Sequence, residues 1–117
     1  MSRINIYENR HTAIISVKER IDVFSAIEFR NASNALFDQG VTHFIIDLSQ
    51  TAMINSAFIA VLVGIFKRSR QVGGYMKLVK AMPPATQRIL HLTRFDQIFE
   101  MVEQKEVEHL LSAAVAS

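Results

Sequence analysis

The sequence contains no cysteine. That excludes a disulfide framework and thiolate zinc sites, and it fits a reducing compartment. An excess of one charge is missing too: 13 basic residues oppose 11 acidic ones, a formal net charge of +2. Nucleic-acid binders ordinarily carry a denser basic stripe, so no nucleic-acid partner is expected. Long hydrophobic runs are absent. The longest, Ala57 to Phe66, has ten residues, whereas a helix that crosses a bilayer needs about 20. The first residues, Met1-Ser2-Arg3-Ile4-Asn5, lack the apolar core of a secretion signal. A cytoplasmic protein without membrane insertion is expected. There is no internal repeat, low-complexity segment or linker. What the chain does have is core-forming material: half of its 117 residues are hydrophobic. That suffices to bury a core without metal or disulfide staples, in one domain spanning 1–117.

The apolar pattern changes period along the chain. Ile4 and Ile6 alternate with polar neighbours, and Ala13 to Val17 follows Glu8-Asn9-Arg10-His11, which predicts a hairpin turning near Asn9-Arg10. Asp22 to Phe37 reads as a helix, with Phe24, Ile27, Ala35 and Leu36 at near-helical spacing and Gly40 placed to stop it. His43 to Leu48 is a short branched apolar run, the signature of a buried central strand. Asn55 and Ser56 are both good N-cap residues, and they precede a helix over Ser56 to Gln71 that ends at Gly73-Gly74. Tyr75 to Val79 is a strand. Pro83-Pro84 opens a third helix carrying Ile89, Leu90 and Leu92. Ile98 to Val102 is a last strand. Glu103 to Val115 is a last helix, with Val107, Leu110, Leu111 and Ala114 on one face. The order β-β-α-β-α-β-α-β-α predicts an α/β fold: a mixed, mostly parallel central sheet of about five strands with about four helices.

Catalytic chemistry is hard to find. The four histidines, His11, His43, His91 and His109, lie far apart without metal spacing. No glycine-rich phosphate loop precedes a basic residue, and Ser56 lacks the flanking glycines of a nucleophile elbow. Asp22, Asp38 and Asp47 are single acids near element ends, and Asp47 is suited to capping a turn. No enzyme activity, metal or cofactor is expected. Lys67, Arg68 and Arg70, with Lys77, Lys80 and Arg88, are either a solvated face or a basic patch that steers an acidic partner.

Taken in order, several segments resemble one family. Phe44-Ile45-Ile46-Asp47-Leu48-Ser49 is similar to the strand of three apolar residues and Asp-Leu-Ser found in STAS domains. Met53 to Ala60 stands where that family has an Asp-Ser-Ser/Ala-Gly-Leu-Gly loop and helix start. Lys67 to Gly74 resembles its basic helix end and Gly-Gly turn, and Pro83 to Thr93 its proline-led helix. Ile21-Asp22 and Asp96-Gln97-Ile98-Phe99 match two shorter steps. The resemblance covers nearly the whole chain and is strongest to anti-sigma factor antagonists. It implies a bacterial signal-transduction module that acts in transcription regulation by protein–protein interaction. The implied partner is an anti-sigma factor of the serine-protein-kinase ATPase type, which the unphosphorylated antagonist sequesters.

Two departures bear on mechanism. The resemblance places the phospho-switch loop on Asn55, Ser56 and Ala57, with Ala57 at the usual acceptor serine. Alanine has no hydroxyl to phosphorylate. Three readings follow: Ser56 is a displaced acceptor; Ala57 holds the domain binding-competent, with any control elsewhere; or the chain belongs to a different STAS subgroup. Ser56 also has a purely structural reading as an N-cap. Phe58 replaces the family's usual glycine. Phe58, Val61 and Ile65 form one helical stripe, and Ile59, Leu62, Val63 and Phe66 another, displaced by about 100°. The second matches the family's core-facing positions, so the first faces outward as a partner anchor, and it is also able to drive a homodimer. The competing reading buries both stripes. Candidate partner-binding residues are Asp22, Phe58, Ala60, Val61 and Ile65. Rival functions are a scaffold or regulatory subunit of a signalling assembly or transporter ATPase, and a small-ligand sensor.

Overall fold

The computed structural model describes residues 4–20 and 22–116, with side chains described for 4–18 and 22–111. In chain order the elements are Ile4–Asn9 (β1), Thr12–Val17 (β2), Glu19–Arg20 (β3), Val23–Asp38 (α1), His43–Asp47 (β4), Thr51–Met53 (β5), Ser56–Gln71 (α2), Tyr75–Val79 (β6), Pro84–Leu92 (α3), a 3-10 turn at Phe95–Gln97, Glu100–Val102 (β7) and Gln104–Ala116 (α4). The main sheet has five strands in the order β1-β2-β4-β6-β7. Only β1 and β2 are antiparallel; the other neighbours pair in parallel, with Ile14↔Ile45 and Ile45↔Lys77 in register. The expected mixed sheet with four helices is what the described residues form.

Both faces of the sheet are covered, which is why the central strand β4 carries Phe44, Ile45 and Ile46 in unbroken succession, all buried. One core joins Ala13, Ile15, Phe44, Ile46, Met76 and Leu78 to Phe29 of α1, Phe58 and Leu62 of α2, and Leu90 of α3. The alternate residues Ile14, Ile45 and Val79 point the other way and pack with Val102 and Val107, under α4. Strands that progress in one direction through right-handed crossovers place their helices on one face. The helices α1 and α2 therefore lie side by side, both starting at the end of the sheet where the parallel strands finish.

Helix ends follow local chemistry. Asp22 caps α1, its Oδ1 accepting from the Ser25 N–H at 2.8 Å. At the other end Gly40 has φ 96, and the Gly40 and Val41 N–H groups donate to the carbonyls of Phe37 and Leu36. That is a Schellman cap, completed by contact of the buried Leu36 and Val41. The same pattern closes α2: Gly73 and Gly74 donate to Arg70 and Ser69.

Several expectations need correction. The hairpin turns at Arg10-His11, one residue late, with Arg10 at φ 58. Phe24 and Ile27 do not face the core; the buried side of α1 is Ser25, Ala26, Phe29, Ser33 and Leu36. The last strand is only Glu100–Val102, because the 3-10 turn at Phe95–Gln97 holds the amides of Ile98 and Phe99 on the Phe95 carbonyl. In α4, Val107 is buried but Leu110 is exposed, and the Ala114 side chain lies outside the described residues. The suggested basic patch is split between faces. Lys77 sits on the α4 side, over the Tyr75 ring and 3.8 Å from Glu100, whereas Arg68 is on α2.

Candidate functional site

The segment entering α2 is held from below. The side strands β3 and β5 pair in parallel, with Glu19 beside Thr51. Thr51 is fully buried; its hydroxyl donates to the Val17 carbonyl at 2.7 Å, and its own carbonyl accepts from the Thr86 hydroxyl at 3.2 Å. The neighbouring Ile54 is buried in the core. The loop leading to α2 is thus fixed to both β2 and α3. Thr51→Val should cost about 1–2 kcal/mol, because it strips the Val17 carbonyl of a buried donor while keeping the shape. Urea denaturation measures the loss, and faster amide exchange at Thr51–Met53 should accompany it.

Above this anchor Asn55 adopts an extended backbone, and its Oδ1 accepts from the Phe58 N–H at 2.8 Å. Its carbonyl accepts from the Ile59 N–H. Asn55 is therefore the N-cap. Ser56 is the first helical residue, not the cap, and its hydroxyl has no partner among the described residues. Ser56 and Ala57 are both exposed.

Phe58 turns the other way. It is 0 % exposed and stacks on Phe29 of α1, ring centroids 4.8 Å apart and planes inclined by 22°. Ile65, two turns later, is buried as well. The expectation that Phe58 and Ile65 present an outward anchor is overturned. Flanked by α1 as well as by the sheet, α2 buries apolar side chains over a wide arc. Ile59 and Leu62 take the core positions expected of them, with Val63 and Phe66 partly buried against the same core. The route to a homodimer through an exposed Phe58 stripe falls with this correction. Of the five candidate partner residues, Asp22 and Ala60 are exposed and Val61 is half-buried.

The surface contains residues that helical periodicity concealed. The first turn of α1 exposes Val23, Phe24 and Ile27, Phe24 to 80 %, and Met53 is exposed on β5. Because α1 and α2 start at the same end of the sheet, these side chains share that end with Ser56 and Ala57. The available signal was weak: Phe24 sits one turn before Glu28, on the polar arc of a helix whose core face is built from serines and alanine as well as Phe29 and Leu36. Ile21, matched to the family beside Asp22, lies outside the described residues.

Asp47 takes its turn-capping role, accepting from the Ser49 N–H at 2.9 Å. Among the described residues no group of three or more His, Asp or Glu is placed to hold a metal ion. No helix among them is long and apolar enough to cross a membrane. The site offers two exposed residues at a capped helix start, at an end of the sheet that also carries exposed apolar side chains of α1.

A family model described as the STAS domain matches residues 3–109. Solved structures match across most of the chain. An anti-sigma factor antagonist from Mycobacterium paratuberculosis is 26 % identical with TM-score 0.72, over 84 % of this chain and 82 % of that one. An anti-sigma factor antagonist (STAS) domain protein from Planctomyces limnophilus is 22 % identical with TM-score 0.72, over 95 % and 97 %. The Bacillus cell fate determinant SpoIIAA in its phosphorylated form shares the fold at 14 % identity and TM-score 0.73, over 92 % and 98 %.

Proposed function

Since the chain belongs to the STAS domain family, we propose that it is an anti-sigma factor antagonist-type module, a cytoplasmic bacterial regulator that binds and sequesters a serine-kinase-type anti-sigma factor. One observation carries the reading. The exposed Ser56 and Ala57 sit at the capped start of α2, at the same end as the exposed Phe24 of α1. The contact surface is then Asp22, Val23, Phe24 and Ile27 from α1 with Ser56, Ala57, Ala60 and Val61 from α2. Phe24 takes the anchoring role that the buried Phe58 cannot. A polar rim around a few exposed apolar groups is the ordinary make-up of a protein–protein interface.

SpoIIAA from Bacillus has a phosphorylated form. The resemblance in sequence puts the acceptor of this chain at Ala57, which has no hydroxyl. The module is then permanently binding-competent as far as that position is concerned. A negative charge built in at the same place mimics the missing switch.

The test is affinity capture from native lysate, with mass spectrometry of the bound proteins and of the bait. The unaltered chain should recover a serine-kinase-type ATPase, with no phosphate on Ser56 or Ser49. Ala57→Asp and Phe24→Glu should each weaken that capture at least tenfold, about 1.4 kcal/mol in binding. Both sites are exposed, and an acidic residue in the first helical turn favours the helix, so lost binding by Ala57→Asp is not lost folding. Unchanged affinity in both variants removes this surface. Recovery of a transporter ATPase or a multi-STAS assembly without a kinase moves the function to a scaffold.

A further inference from the structure

A groove of about 450 Å³ runs between α1 and α2, lined by Arg30, Asn34 and Phe37 on one wall and by Ala57, Val61 and Gly64 on the other, among others. Its lining includes two guanidinium groups, Arg30 and Arg68, and no carboxylate. Arg68 is engaged: it lies over the Phe37 ring, donates to Asn34, and meets Asp38 at 3.5 Å. Arg30 makes no hydrogen bond or ion pair among the described residues.

We propose that this groove receives an acidic amphipathic helix of a partner protein. The proposal deepens the partner-binding reading above and rests on it, since the groove is lined by Ala57, Ala60 and Val61 of that same surface. The helical form follows from the walls. Both are helices whose backbone groups are already paired, so an extended segment would lie there with its own N–H and C=O groups unsatisfied. A helix arrives with them satisfied. From Ala57 to Arg68 the wall is about 17 Å long, roughly three helical turns.

The acidic character follows from the lining. A docked segment meets the Arg30 guanidinium, which has no partner among the described residues, and that of Arg68, which is shared with Asp38, while no carboxylate lines the groove, so carboxylates on its flanks are favoured and basic flanks repelled. Close approach is also provided for. Gly64 lies in the middle of α2, where glycine disfavours a helix, yet a Cβ there would meet nothing in this chain within 4 Å. The fold itself does not require that glycine; a helix lying against it does.

Two synthetic amphipathic helical peptides test this, sharing one leucine–alanine stripe and flanked by glutamates in one and lysines in the other. Binding is read by fluorescence anisotropy and by amide shift mapping. The glutamate peptide should saturate below about 1 mM, with shifts at Ala57, Ala60, Val61 and Gly64, and the lysine peptide should bind at least tenfold more weakly. Gly64→Leu fills the groove and should abolish saturation, and its amide spectrum reports that the fold is kept. Arg30→Glu, at a side chain with no partner to lose, should erase the preference for glutamate. Equal binding of the two peptides, no saturation by about 1 mM, shifts elsewhere, or insensitivity to Gly64→Leu overturns the proposal. The kinase capture described above is a separate readout. If Ala57→Asp weakens capture while the glutamate peptide fails, the groove falls and the antagonist reading stands. If no kinase is captured but the peptide binds as described, the reverse holds.

Discussion

Phe58→Ala should lower stability by about 4 kcal/mol, the largest loss expected from any single side chain at the start of α2. The ring is fully buried and lies flat on Phe29, so its removal takes away the ring stack between α1 and α2 and leaves a cavity above the sheet. Helix propensity acts in the opposite direction, because alanine favours a helix more than phenylalanine does. A large net loss is therefore a packing loss. Phe24→Ala is the matched control: the same chemical change at a side chain that is 80 % exposed should alter stability by less than about 0.5 kcal/mol. Urea denaturation of the two variants separates them. A loss below about 1 kcal/mol for Phe58→Ala would mean that the ring is not a packed clamp and that its role as an outward anchor has to be reopened.

This pair of phenylalanines marks where sequence reasoning succeeds and where it stops. Helix and strand positions were legible because their signals are local. Asn55 before an apolar run, Gly40 and Gly73-Gly74 after helices, and Pro83-Pro84 before one each act through groups within a few residues. The helices over Ser56–Gln71 and Pro84–Leu92 and the strand Tyr75–Val79 accordingly start or end where those signals lie. The facing of α2 was not legible. Half the helix is apolar, and which stripe is buried depends on α1, a neighbour that periodicity within α2 does not describe. The same limit hid the exposure of Phe24. It also hid Thr51, whose two hydrogen bonds reach 34 and 35 residues along the chain. Of the candidate site, the cap and the exposed Ser56 and Ala57 were open to local reasoning; the anchoring beneath them and the exposed apolar side chains of α1 at the same end were not.

Gly74→Ala should cost about 3 kcal/mol or more, although alanine is ordinarily the easier residue to accommodate. A Cβ on Gly74 would overlap the carbonyl oxygen and carbon of Thr42, and no rotamer relieves that, since both partners are main chain. Thr42 cannot simply retreat. Its carbonyl accepts from the Tyr75 N–H at 3.2 Å where β6 begins, and its own N–H donates to the His11 carbonyl at 2.9 Å. Moving it disturbs the start of β4 and β6 together, and with them the hairpin turn. Gly74 cannot retreat either, because its N–H closes α2 on the Ser69 carbonyl at 2.7 Å. The adjacent Gly73→Ala distinguishes contact from conformation. Gly73 has φ 82 with nothing within 4 Å of its position, so its cost is backbone strain alone, about 1 kcal/mol. Denaturation midpoints should rank Gly74→Ala well below Gly73→Ala. Equal midpoints would show that the approach of residue 74 to Thr42 is not a constraint on the fold. The clash lies at the far end of α2 from Ser56 and Ala57, so the folded fraction of Gly74→Ala should still bind its partner with unaltered affinity. A binding defect in that fraction would mean that the position of α2 along the sheet, and not only the chemistry of its first turn, sets the affinity of the surface.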